Sequence, residues 1–285
     1  MNVGNDAPDG STRPLDSRSP FAGGRVPFGA PAVAAAQASA PGPFVPGISV
    51  VIPLRNERDN VAPLARQVLQ ALREERRGLE LILVDDASTD GTWEQMIAAK
   101  RADSRVRALH HARQSGQSAA LWTGFEASRG SVIATLDGDL QNDPADLPPM
   151  IAALASCDLV CGVRAVRNDN PLRRFSSSIA RGARKLVLGV DFRDIGCNLR
   201  VMKRPVLQTL LPFDGLHRFL PVLAQDAGAV VKEMDIAHHP RTAGRSKYGV
   251  WNRLGRGVWD LAMVAWYRKR QMRNLAVSEH HNGAS

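Results

Sequence analysis

Three β-branched apolar runs recur along the chain, and each one stops at a polar or acidic cluster. They are ISVVIP (48–53), LELILVDD (79–86) and SVIATLDGD (131–139). The segments between them read as helices: one from about Asp59 to Arg77, then GTWEQMIAAKRA, then GQSAALWTGFEAS. VRALHH forms a further short strand between the last two. A run that is apolar at every position buries both of its faces, as a parallel strand covered by helices does. The alternation therefore implies an α/β fold with a mostly parallel central sheet flanked by helices. Ligands of such sheets gather beyond the carboxyl ends of the strands. That is where Asp85, Asp86, Asp137 and Asp139 fall.

The second half is less regular. DLVCGVR, LRVMKRP and AVVKEMDIAHH read as strands. Residues 172–188 read as a basic helix, and shorter helices are expected over 204–211 and 215–228. Residues 1–46 are rich in Gly, Pro, Ala and Ser without sustained periodicity, which reads as a disordered tail. Residues 274–285 read as a second tail. The organised part therefore runs from 47 to 249, followed by a helix over 250–273.

Formal net charge is +9, which calls for an acidic partner such as a nucleotide, a nucleic acid or an anionic lipid. The charges of the first 46 residues cancel, so the excess belongs to the folded part. The aromatic ladder of an RNA-binding sheet is missing, so no nucleic-acid partner is expected. Cys157, Cys161 and Cys197 are odd in number and form no C-x-x-C pair, which favours plain core thiols in a reducing compartment. No uninterrupted apolar stretch of about 20 residues is present, nor the layout of a signal peptide.

The stretch TLDGDLQNDP gathers Asp137, Asp139 and Asp143 around Gln141. Like charges repel, so their proximity needs a cause. A bound Mg²⁺ or Mn²⁺ would supply one, because such ions take oxygen ligands at about 2.1 Å. Residues i and i+2 of a strand lie roughly 6–7 Å apart, and Gly138 is expected to bend the backbone so that the carboxylates converge. A solvated turn is the other reading, and for Asp143, followed by Pro144, a helix cap fits better. In VDDASTDGT, Asp85 and Asp86 could accept hydrogen bonds from a base or ribose, with Ser88 or Asp90 capping the next helix. Glu57, just past the first strand, could face the same ligand or simply favour a helix start. The histidine pairs 110–111, 238–239 and 280–281 read as structural or exposed.

Taken in order, the motifs VIPLRNE (51–57), VDDASTDGT (84–92), GQSAAL (116–121), LDGDLQ (136–141), GVR (162–164), DIGCNLRVMKR (194–204), HRF (217–219) and GRSKYG (244–249) carry a resemblance. The chain resembles the family-2 glycosyltransferases of GT-A fold, and more closely the dolichyl- or polyprenyl-phosphate hexose synthases. The resemblance implies an inverting transfer of a sugar from a UDP- or GDP-hexose to a polyprenyl phosphate, aided by Mg²⁺ or Mn²⁺. It divides the domain into a nucleotide-binding half (47–165) and an acceptor half (166–249). It implies that Pro53, Asn56, Glu57, Asp85, Asp86, Gln117 and Asp137 meet the nucleotide-sugar, and that Asp137, Asp139 and Gln141 hold the metal. Asp139, Arg164 and Asp194 are the expected catalytic residues. Asp194 reads either as a base or acceptor positioner or as a loop carboxylate. Arg200, Arg218, Arg241, Ser246 and Lys247 are expected to face acceptor phosphates. One departure stands out: Cys197-Asn198-Leu199-Arg200 occupies the place of the family's frequent Ser-Gly-Phe-Arg, which unsettles the acceptor side.

Residues 250–273 mix Trp251, Trp259, Trp266 and Tyr267 with six Arg and Lys residues. Trp251, Leu254, Val258, Leu261 and Ala265 keep helical spacing. An amphipathic helix lying on an anionic membrane, or docking a partner, wants this composition; a helix packed on the domain is the alternative. The expected location is therefore peripheral, on the cytoplasmic face of a membrane, with room for a small separate membrane subunit. Transfer to a saccharide or protein hydroxyl remains open, although the Q-x-x-R-W motif of processive synthases is absent. A non-catalytic basic binding protein is a third reading, but it leaves the acids at the strand ends unexplained.

Overall fold

Unbroken β-branched and leucine runs become strands because they can pack apolar side chains on both faces at once. The computed structural model describes residues 47–75, 78–164, 181–240 and 250–270, all within one unit, Val45–Ser285. Among the described residues seven strands form one sheet: β1 (Ile48–Leu54), β2 (Leu79–Asp85), β3 (Val106–His110), β4 (Val132–Thr135), β5 (Leu159–Arg164), β6 (Arg200–Lys203) and β7 (Val231–Ile236). Their order is β3-β2-β1-β4-β6-β5-β7.

β1 pairs in parallel with β2 on one side and with β4 on the other. The order thus reverses at β1, and a crevice is expected beyond the carboxyl ends there. Register aligns those ends: Leu54 lies opposite Asp85, and Val51 opposite Thr135. The sheet is not wholly parallel. β6 runs antiparallel between β4 and β5, and Arg200 sits across from Thr135. Reversing this one strand brings its first residue to the edge where the others end.

Side chains alternate between two cores. Val50, Ile52, Leu81 and Leu83 pack with α1 (Arg58–Ala71), α2 (Thr92–Ala102) and α4 (Leu147–Ala153). Val51, Ile82 and Val84 pack with α3 (Gln117–Ala127), α7 (Leu216–Asp226) and α8 (Val250–Arg270). A helical stretch α5 (181–188) adds Leu188 to the second core, and α6 (Arg204–Leu207) is a single turn. The expected helix over 172–188 is therefore described only in its second half. α1 stops at Ala71, short of Arg77, and Gly78 at φ +83° turns the chain into β2. All three cysteines are free and buried, as expected.

At the amino-terminal edge, buried Glu80 accepts from Ser49 Oγ, Arg129 N and Arg107 Nη1, each at 2.6 Å. A cavity of about 830 Å³ also opens on that side, bordered by Leu72, Val132, Ile151 and Lys203. It lies across the sheet from the acids.

α3 lies unusually close to β1. A Cβ built on Gly124 would stand 2.2 Å from Val51 Cγ1. Gly124→Ala should therefore overpack this interface and cost about 1–3 kcal/mol, read as a lower urea midpoint at unchanged slope.

Candidate active site

The loops after β1 and β2 are laced together. Asn56 N–H donates to Ser88 Oγ at 2.8 Å, and Asn56 Oδ1 accepts from Thr89 N at 2.8 Å. Glu57 N–H donates to Thr92 Oγ1 (2.9 Å) and Arg58 N–H to Asp90 Oδ2 (3.2 Å). Asp90 also accepts from Thr92 N at 3.0 Å, so it serves the start of α2 as expected, whereas Ser88 turns back to Asp85. Glu57 Oε2 accepts from Asn60 Nδ2 at 2.7 Å, so the residue does serve the first turn of α1.

The two acids ending β2 have different surroundings. Asp85 is fully buried and accepts from Ser88 Oγ, Ser88 N and His110 Nδ1. Asp86 accepts from Ser115 N (2.7 Å), Gly116 N (2.9 Å) and His111 Nδ1 (3.0 Å). A carboxylate offers about four acceptor positions, so Asp86 keeps one spare. The residue after Gly116 reaches the other acid cluster: Gln117 Nε2 donates to Asp137 Oδ1 at 2.9 Å. The start of α3 thus bridges Asp86 and Asp137.

Asp137 is the electrostatic centre of the site. Burial raises its pKa first, the charge of Asp139 adds to that, and together they bring it to about 6. A hydrogen bond from Asn198 and the charges of Arg164 and Arg200 work the other way. Gly138 takes no left-handed conformation, having no positive φ. Its missing side chain instead lets the loop close on β1, since a Cβ there would meet Leu54 Cδ2 at 2.4 Å. Asp139 Oδ1 accepts from Gln141 N (3.3 Å), Gln141 O from His239 N (2.8 Å), and Asp143 caps the following turn through Ala145 N (2.9 Å).

Strain gathers here as well. Among the described residues, the non-glycines with positive φ are Asn56 (49°), Ala87 (55°) and Leu140 (59°). One sits in each loop after β1, β2 and β4. Asn tolerates this conformation; for Ala and Leu it costs of order 1–2 kcal/mol.

On the far side of β4, Arg164 at the end of β5 forms a two-point ion pair with Asp194, Nε to Oδ2 at 2.6 Å and Nη2 to Oδ1 at 2.8 Å. Burial opposes the guanidinium charge, yet the bonds it donates to Asp194 and the negative charges around it together outweigh burial and raise the Arg164 pKa. Both Asp194 oxygens serve Arg164, so the geometry suits a positioning group better than a base.

Two expected phosphate ligands are placed elsewhere. Arg200 is 1% exposed and donates to His217 O (2.5 Å) and Ile195 O (2.9 Å). It supports the backbone and adds positive charge beneath Asp137; it does not present itself to an acceptor phosphate. Arg218 pairs with Asp260 of α8 at 3.2 Å. Arg241, Ser246 and Lys247 lie outside the described residues. Two of the three histidine pairs are described, the pair 280–281 lying outside the described residues. His110 and His111 hold the two acids of β2, and His238 Nδ1 is buried without a hydrogen-bond partner in the fields of Arg164, Asp139 and Asp194. Only the position of His238 just past β7, on the rim that carries the acids, could have pointed to it.

Asp137 holds its proton up to about pH 6 when folded, against 3.8 ordinarily. The folded state is therefore penalised as pH rises from about 3.8 to 6, and the penalty persists above that. Asp137→Asn should stabilise the metal-free protein at pH 7.5 by ~2–3 kcal/mol. The check is a thermal melt, with the gain vanishing near pH 4. Half-buried His217, depressed to about 3 from 6.5 by desolvation and by the charges of Arg218 and Arg200, acts oppositely: keeping it neutral costs the fold stability as pH falls from about 6.5 towards 3.

A family model described as Glycosyl transferase family 2 matches residues 49–211. The chain is 37% identical over 237 residues to a dodecaprenyl-phosphate galacturonate synthase of Rhizobium johnstonii, covering 79% of this chain and 68% of that protein. It is 38% identical over 209 residues to an undecaprenyl-phosphate 4-deoxy-4-formamido-L-arabinose transferase of Pseudomonas aeruginosa, covering 73% and 62%. The chain thus spans about three fifths to two thirds of the length of these relatives. Among solved structures it resembles glucosyl-3-phosphoglycerate synthase from Mycobacterium tuberculosis, in complex with Mg²⁺ and uridine diphosphate. There the TM-score is 0.59 at 20% identity, over 78% of this chain and 79% of that one. That likeness is one of fold, the GT-A arrangement.

Proposed function

Because this chain belongs to glycosyl transferase family 2, we propose that it is an inverting glycosyltransferase moving a sugar from a UDP- or GDP-sugar to polyprenyl phosphate. The observation that carries the donor half is the half-buried Asp137 beside Asp139, joined through the start of α3 to Asp86 at the sheet's switch point. The relatives' lipid-phosphate names support the acceptor half.

The residues fit a divalent cation. Asp137 is destabilised as an anion by burial and by its neighbour, and a cation would relieve both effects. Among the described residues no group of three or more His, Cys, Asp and Glu could hold an ion. Asp137 and Asp139, with the Gln141 amide, would therefore share it with donor oxygens. Bound Mg²⁺ or Mn²⁺ would stabilise the leaving diphosphate as a Lewis acid. Pro53, Asn56 and Glu57 border the nucleotide side, and Asp86 has one acceptor position for a base or ribose.

A phosphate monoester is largely ionised near neutral pH, its second pKa being about 6. The acceptor therefore needs orientation towards the anomeric carbon more than it needs a base. Arg164, oriented by Asp194, offers its remaining donors for this. Arg241, Ser246 and Lys247 complete the phosphate side in this reading.

α8 gives the surface for a lipid substrate. Trp259 and Trp266, seven residues apart and hence on one face, are 76% and 60% exposed. Arg270 lies 5.8 Å over the Trp266 ring, and Lys269 is exposed beside it. Among the described residues no helix is long and apolar enough to cross a membrane. The reading is peripheral docking on anionic lipid at the cytoplasmic face, compatible with a separate membrane subunit.

Radiolabelled UDP- and GDP-sugars, offered with polyprenyl phosphate and Mn²⁺, should give label extractable into organic solvent. Chelation should cut the rate at least 100-fold, about 2.7 kcal/mol. Label confined to water-soluble product would redirect the reading to a saccharide or protein hydroxyl. Trp259→Ser with Trp266→Ser should release the protein from anionic vesicles in a sedimentation assay; undiminished sedimentation would remove α8 from the docking surface.

A further inference from the structure

We propose that Asn198 is a positioning residue of the donor site, which turns Asp137 so that its free carboxylate oxygen faces a divalent cation. This rests on the metal-dependent reading above and adds a residue to it. Asn198 was read from sequence as a departure on the acceptor side. The structure puts it on the donor side.

Asn198 is 6% exposed, and its Nδ2 donates to Asp137 Oδ1 at 3.0 Å. Gln117 Nε2 donates to that same oxygen at 2.9 Å. An oxygen with two lone pairs is filled by two such donors. Among the described residues no hydrogen bond reaches Asp137 Oδ2. The two amides, arriving from the start of α3 and from the loop before β6, therefore fix the carboxylate plane and leave one oxygen available.

The setting of Asn198 argues against a mere packing role. Its backbone oxygen accepts from Thr135 Oγ1 at 2.5 Å, which ties it to the end of β4. Its flanking residues Cys197 and Leu199 are 2% and 0% exposed. Its own Oδ1 is buried with no partner. Stranding a buried amide oxygen is unfavourable, and an apolar side chain of similar size would strand nothing. The side chain is thus explained by its N–H donor, and that donor is spent on Asp137. Groups that orient a metal ligand typically change metal affinity about 10- to 100-fold when removed.

The test uses the full chain and Mn²⁺, first alone and then with excess UDP or GDP, with binding followed by the enhanced water-proton relaxation of protein-bound Mn²⁺ at fixed pH. Asn198→Met removes the donor with a larger apolar side chain, Asn198→Ala removes it with a smaller one, and Gln117→Met removes the second amide. Each should weaken Mn²⁺ about 10-fold in a protein that still melts cooperatively, and Asp137→Asn should abolish binding. Wild-type Mn²⁺ affinity in a folded Asn198→Met protein would overturn the inference and leave the glycosyltransferase reading standing. Failure of the wild-type chain to bind Mn²⁺ either alone or with UDP or GDP present would overturn the metal-dependent reading, and this inference with it.

Discussion

The site depends on one unfavourable interaction held in place by favourable ones. A carboxylate at the end of β4 is partly withdrawn from water and set near a second, so that its pKa rises to about 6. Left alone, such a pair would splay or bind protons. Here the sheet prevents it. β4 lies between β1 and β6, Gly138 lets the loop settle against Leu54, and Gln117 and Asn198 hold Asp137 Oδ1. The strain recurs in the backbone, where Ala87 and Leu140 take left-handed conformations in adjoining loops. Stability is given up where a ligand is to be received.

The surrounding charges follow the same logic. Asp86 and Asp85 are neighbours in sequence, yet their partners separate their roles. Asp85 is enclosed by Ser88 and His110, while Asp86 organises the start of α3 and so connects with Asp137. Arg200 contributes charge from beneath the site while its two terminal nitrogens donate to backbone carbonyls. Arg164 stands at the rim, clamped by Asp194. Removing a fixed cation from its buried partner would leave an uncompensated carboxylate, so these pairs specify geometry as much as they add stability.

Much of this was legible in the chain because parallel strands are covered on both faces. Ile48–Leu54 and Leu79–Asp85 show as unbroken apolar runs, and the abrupt change to acids marks the edge where ligands bind. The ordered short motifs then narrowed the family. What could not be read depends on partners distant in sequence. The direction of β6 is set by pairing with Thr135 and Cys161 on two other strands. Arg200 looked like one more arginine for phosphate until its carbonyl partners appeared. Gly138 looked like a hinge, when the cause was Leu54, 84 positions earlier. Asn198 and His238 reach the site only because β6 and β7 join the same sheet, and no local pattern announces that.

The central claim is that Asp137 is kept uncomfortable as an anion so that a cation with a nucleotide diphosphate can relieve it. Carbon NMR of labelled aspartate would test this most directly, following Asp137 against pH without metal and then with Mg²⁺ and UDP or GDP. The account predicts a midpoint near pH 6 in the metal-free protein, falling to the ordinary carboxylate range or below once the ion and nucleotide are present. An Asp137 midpoint that stays unmoved by both would contradict it.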